Sequence, residues 1–95
     1  PLRYDSDMIM KHLTPGDIDR LFTDHMHVWL SNPVRRQIGE SLRFGGSQGF
    51  AVNLRTGLWS NHYEGDKSGN LFQFIAESRN ISVREAIEWV GEWSK

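Results

Sequence analysis

The chain has 95 residues and 11.0 kDa, enough for one domain with a modest core: folding is expected to hide ~65% of the unfolded surface, on the order of 10,000 Å². Hydrophobic residues at 38% and aromatics at 12% supply that core, and 24% charged residues argue against a long disordered tract. Cys is absent, which excludes disulfides, Cys-based zinc sites and thiol catalysis, and the net charge of -1 excludes a uniformly basic or acidic protein.

Helices are predicted first. Ser6 can cap a short helix with Met8, Ile9 and Leu13 on one side. Thr14-Pro15-Gly16-Asp17 starts a second: a hydroxyl cap, Pro at the first helical position and an acid at the third. Ile18, Leu21 and Phe22 then fall at i, i+3, i+4. Met26–Leu30 is short and fits no single element; Ser31-Asn32-Pro33 breaks it, and Val34–Ile38 is expected as a further helical turn closed by Gly39. The period then changes. Ser41–Phe44, Gly49–Leu54 and Leu58–Tyr63 read as strands, with Phe50, Val52 and Leu54 alternating against Ala51, Asn53 and Arg55. Arg55-Thr56-Gly57 predicts a hairpin link, and Glu64–Gly69 a glycine-bearing loop. Asn70 can cap a helix bearing Leu71, Phe72, Phe74 and Ile75. Ser82-Val83-Arg84-Glu85 is a capping box, and Val83, Ala86, Ile87, Val90 and Trp93 follow as one apolar stripe. The expected fold is α+β: a small antiparallel sheet of about three strands packed by C-terminal helices, with residues 1–40 helical in front. All 95 residues are expected to form a single domain.

The charge is unevenly spread. Residues 1–24 hold five acids and three bases, and residues 61–95 hold six acids and four bases. Residues 25–60 hold Arg35, Arg36, Arg43 and Arg55 against Glu40 alone, interleaved with Trp29, Phe44, Phe50 and Trp59. Arginine among aromatics suits phosphate contact with base stacking, and it equally suits a solvated basic edge over ordinary core aromatics. The opening Pro-Leu-Arg-Tyr is no signal peptide, and no apolar run approaches the ~20 residues of a membrane span. A cytoplasmic protein without membrane contact is expected, and the lack of an initiator Met suggests a piece of a longer one.

Four runs carry a family likeness: Gly49-Phe50-Ala51-Val52-Asn53; Gly57-Leu58-Trp59; Gly65-Asp66-Lys67-Ser68-Gly69-Asn70-Leu71-Phe72-Gln73-Phe74-Ile75; and Ile81-Ser82-Val83-Arg84-Glu85-Ala86-Ile87. In this order they resemble the zinc-ribbon domain at the N-terminus of bacterial and phage primases, over residues 41–95. Arg43-Phe44-Gly45 before the hairpin is similar to cysteine-free relatives in relaxases and primases of plasmids and other mobile elements. Metal-bearing members hold zinc through Cys and His before the hairpin and a Cys-x-x-Cys after it. Here the second pair falls near His62 and Gly65, and His62 with Glu64 and Asp66 makes no closed tetrahedral site. The resemblance therefore implies a degenerate ribbon without metal or other cofactor, propped by Trp59, Phe50 and the final helices. The role it implies is non-catalytic engagement of DNA, as a single strand, beside other domains of a parent primase, helicase or conjugative relaxase acting in DNA replication or transfer. The expected nucleic-acid face comprises Arg43, Arg55, Trp59, His62, Tyr63 and Lys67, with Arg35 and Arg36 at the approach. For Trp59 and Tyr63 core packing is the alternative, and for Arg35-Arg36 a solvated helix face.

Two rival functions come from other residues. His25-Met26-His27, with Asn32 nearby and Tyr4 upstream, resembles the His-hydrophobe-His metal motif of relaxase nucleases, in which two His share a strand face. A docking module that has lost DNA binding would instead present Trp89 and Trp93 as a partner groove. No nucleophile elbow, ordered triad or phosphate-binding P-loop is present, so the chain is not expected to be an enzyme by itself.

Overall fold

Each α-helix begins where a side chain can accept one of its free amide hydrogens. The computed structural model describes residues 3–95. In it α1 (Ser6–His12) is capped by Asp5, α2 (Pro15–His25) by Thr14, α3 (Leu71–Arg79) by Asn70 and α4 (Val83–Trp93) by Ser82. The last three caps are reciprocal boxes closed by Asp17, Gln73 and Glu85. The first cap is Asp5 rather than Ser6, because the Asp5 carboxylate reaches the Asp7 amide at 2.8 Å. The unassigned Met26–Leu30 stretch opens with a 3-10 turn, Met26–Val28.

The fold is α+β, with five antiparallel strands rather than about three. They are β1 (Arg35–Ile38), β2 (Ser41–Phe44), β3 (Phe50–Asn53), β4 (Trp59–Asn61) and β5 (Lys67–Gly69), hydrogen-bonded in chain order. Both additions are edge strands. Val34–Ile38 is not a helical turn: β1 pairs with β2 from Arg35 opposite Phe44 to Ile38 opposite Ser41, leaving Gly39-Glu40 as a two-residue turn. Gly39 sits at φ +60 in its first position, where a tight hairpin calls for glycine. The expected loop Glu64–Gly69 instead ends in β5, held by pairing of Lys67 with Asn61 and Gly69 with Trp59.

One face of the sheet is the core. Leu42, Phe44, Phe50, Val52 and Trp59 are buried with Phe22, Phe74 and Ile75 from the helices. Phe74 meets Phe22 at 4.2 Å between ring centroids and stacks on Trp29 at 5.3 Å. Two indoles fasten α3: Trp59 Nε1 of β4 donates to the Asn70 carbonyl, and Trp29 Nε1, just after the 3-10 turn, to Ser78 Oγ, both at 2.7 Å. No helix among the described residues is long and apolar enough to cross a membrane.

Arg3 and Tyr4 are tied to α4. Gly91 makes the space, since a Cβ there would lie 2.4 Å from the Tyr4 ring. Glu92 takes Lys95 at 2.8 Å, the Tyr4 hydroxyl, and Arg3 at 3.0 Å. Lys95 and then Tyr4 hold the Glu92 carboxyl down from its ordinary 4.5 to about 2. A lowered carboxyl pKa stabilises the fold above the unfolded value, and that contribution fades as pH falls from 4.5 through about 2. The groups are solvent-exposed, so the effect on global stability is small. An NMR titration is expected to show Glu92 protonating near 2, and Tyr4→Phe to move that midpoint upward.

Candidate nucleic-acid interface

Strand register decides which side chains share a surface. Pairing places Arg36, Arg43, Ala51, Ser60 and Ser68 in one row across all five strands. At ~4.8 Å per strand the row is about 19 Å long. Ile38, Ser41 and Asn53 form a shorter row beside it. None of these residues is buried: this is the side of the sheet that no helix among the described residues covers. The alternate row (Arg35, Phe44, Phe50, Asn61 and Lys67) faces the core side.

The sequence-predicted residues therefore separate. Arg36 and Arg43 stand directly opposite each other on the bare face, and among the described residues no carboxylate pairs with either. Arg35 points to the other side, where Nε donates to Asp19 Oδ1 at 3.1 Å and Nη2 to Oδ2; the Asp19 hydrogen bond pushes the guanidinium pKa up. Lys67 also lies on the core side, at the opposite edge, with its ammonium on Glu77 and 5.6 Å from the Trp29 ring centre. Arg55 lies in the β3–β4 turn, 3.6 Å from Glu40. Trp59 is 5% exposed, stacked on Phe50 at 5.5 Å and edge-on to Trp29; it belongs to the core and not to the expected DNA face.

His62 and Tyr63 lie past the end of β4 in a 3-10 turn, Tyr63 43% exposed. His62 Nδ1 is 2.6 Å from Asp66 Oδ1. The Tyr63 ring fills the space beside Gly45 and Gly49, where a Cβ would come within 3 Å of it. Its oxygen lies 2.7 Å from Ser47 Oγ and accepts from the Ser47 and Gly49 amides at 3.2 and 3.3 Å; the Ser47 hydroxyl first, then Gly49, lowers its pKa. Tyr63 thus clamps the β2–β3 turn.

Beside the arginine pair, between the β1–β2 and β3–β4 turns, opens a cleft of about 530 Å³. Exposed Ile38 and Leu58 and the smaller Ser41, Ala51, Asn53 and Ser60 line it, with Glu40 at the rim. These residues escaped the sequence reading. The alternation that turned Phe50 and Val52 inward already implied Ala51 and Asn53 outward, but uncharged serines carry no signal of their own.

The rival features lie elsewhere. His25 ends α2 and is buried, with Nδ1 2.7 Å from the Leu21 carbonyl and Nε2 3.3 Å from Arg79; His27 is exposed on the 3-10 turn. They do not share a strand face, as the nuclease motif requires. Trp89 and Trp93 are half-buried beside a groove of about 470 Å³, and Arg79 and Arg20 lie over their rings at 4.3 and 5.3 Å. Comparison with protein-family models, with curated proteins and with solved structures finds no match to this chain.

Proposed function

We propose that this domain is a non-catalytic DNA-binding module that holds a single strand across the bare face of its sheet, within a larger primase, helicase or relaxase. The observation that carries this reading is the Arg36–Arg43 pair. Like charges placed directly opposite on neighbouring strands destabilise a sheet, and among the described residues no carboxylate pairs with either. A phosphate chain laid along the row supplies the missing anions, and the hydroxyls of Ser60 and Ser68 continue the track as donors. With Trp59 inside and Tyr63 held by its turn, affinity comes from phosphate contact rather than aromatic stacking. The resemblance to a metal-free primase ribbon agrees with this. Gly57 at φ +73 turns the chain into Trp59, and Gly69 packs against Trp59 before Asn70 caps α3.

Titration of a labelled single-stranded oligonucleotide at several salt concentrations tests the proposal. Two neutralised phosphates at ~0.7 each give a log-log slope of about -1.4, or roughly sevenfold weaker binding between about 50 and 200 mM salt. Arg36→Ala with Arg43→Ala is expected to remove most of the binding and nearly all of that slope. A wild-type protein that binds no oligonucleotide at the lowest salt overturns the reading.

A further inference from the structure

We infer that the cleft beside the arginine pair receives an unpaired nucleobase from the strand whose phosphates lie on Arg36 and Arg43; the inference rests on the function proposed above. The cleft combines three properties. Two of its flanks are apolar side chains, Ile38 and Leu58, each more than half exposed. Its floor is low, because Ser41, Ala51 and Ser60 are small enough to admit a flat ring. Its polar groups are free: Ser41 Oγ and Ser60 Oγ bond to no protein atom among the described residues, nor does Asn53 Nδ2. The Asn53 amide is nevertheless held in place, since its Oδ1 accepts from the Arg55 and Thr56 amides at 2.8 and 3.1 Å.

Position selects the occupant. Ser41 and Asn53 are paired neighbours one row along from Arg43 and Ala51, so a residue in the cleft lies next to the phosphate track. Among the described residues that line the cleft the one acid is Glu40, and Arg55, 3.6 Å away, offsets its charge. A base in a duplex hides its ring faces against its neighbours and shows only its edges. Apolar flanks beside a cationic track therefore suit a base whose ring is free, which only a single strand offers. Contact is through ring faces, two hydroxyls and the Asn53 amide N–H, and since every base carries an acceptor for such a donor, sequence preference is small.

The test compares a single-stranded oligonucleotide, the same strand made abasic throughout, and its duplex, each with the wild-type protein and with Ile38→Ser/Leu58→Ser. Both replaced side chains are exposed, and an unchanged melting temperature checks the variant's fold. The natural strand is expected to bind the wild type about fivefold to tenfold better than the abasic strand, as covering some tens of Å² of apolar surface implies. The variant should lose that difference and keep the salt slope. Equal salt-dependent binding of natural and abasic strands, or tighter binding of the duplex, overturns the cleft as a base site and leaves the arginine track standing. No binding to any of the three overturns both.

Discussion

Phe74→Ala is expected to destabilise the domain by ~3–5 kcal/mol, the usual cost of deleting a buried aromatic ring. Phe74 has no exposed surface and sits where α2, α3 and the sheet converge. Its ring meets Phe22 at 4.2 Å, Trp29 at 5.3 Å, Phe50 at 5.9 Å and Trp59 at 6.1 Å. Two of these partners are indoles whose N–H groups are already committed to Asn70 and Ser78, so neither can swing into the cavity without breaking a bond. A domain of this size has a total stability of ~5–15 kcal/mol, so the variant is expected to melt at least ~12 °C lower. Urea denaturation followed by tryptophan fluorescence measures it. A loss below about 1 kcal/mol would mean that the cluster can collapse around the gap, and that the helices are not held to the sheet through this ring.

The parts of the fold visible in the sequence are those set by local chemistry or by a buried face. Capping by Thr14, Asn70 and Ser82 needs only residues three apart, and all three caps stand where the residues predict. The inner strands alternate because one side of each meets the core. β1 hides neither side: all four of its residues are exposed, so Arg35-Arg36-Gln37-Ile38 has no apolar period to read. Gly39 compounds the difficulty, because a positive φ serves a helix end and a tight hairpin equally well. β5, Lys67-Ser68-Gly69, has no β-branched or aromatic residue and exists through its pairing with β4.

The same limits explain the site. Read as a helical turn, Arg35 and Arg36 form one basic patch; in a strand they point to opposite faces, and only Arg36 joins Arg43. Trp59 looks like a stacking residue by composition. Its partner is Val52, an inward residue of an alternating strand, so pairing alone assigns it to the core. The cleft depends on Leu58 in one turn meeting Ile38 at the end of an unforeseen strand, a juxtaposition that no local pattern encodes.

Arg43→Glu is expected to weaken single-strand binding about 100-fold and to leave the domain as stable as before or more so. In the native sheet Arg36 and Arg43 stand opposite each other across β1 and β2, and no carboxylate among the described residues pairs with either. The substituted carboxylate would stand opposite Arg36, replacing that repulsion with a cross-strand ion pair worth ~0.2–1 kcal/mol. The lower strand propensity of glutamate takes back part of this gain. Binding changes the other way. The strand loses a charge-assisted phosphate contact of ~1.5–3 kcal/mol, meets a new negative charge, and finds Arg36 already engaged. At ~1.4 kcal/mol per decade these effects reach two orders of magnitude. Thermal melts and oligonucleotide titrations of the same samples read both quantities. Stability that holds while binding disappears assigns the pair to the ligand. A parallel loss of both would assign Arg43 to the fold, and the bare face of the sheet would no longer have a reason to carry two opposed cations.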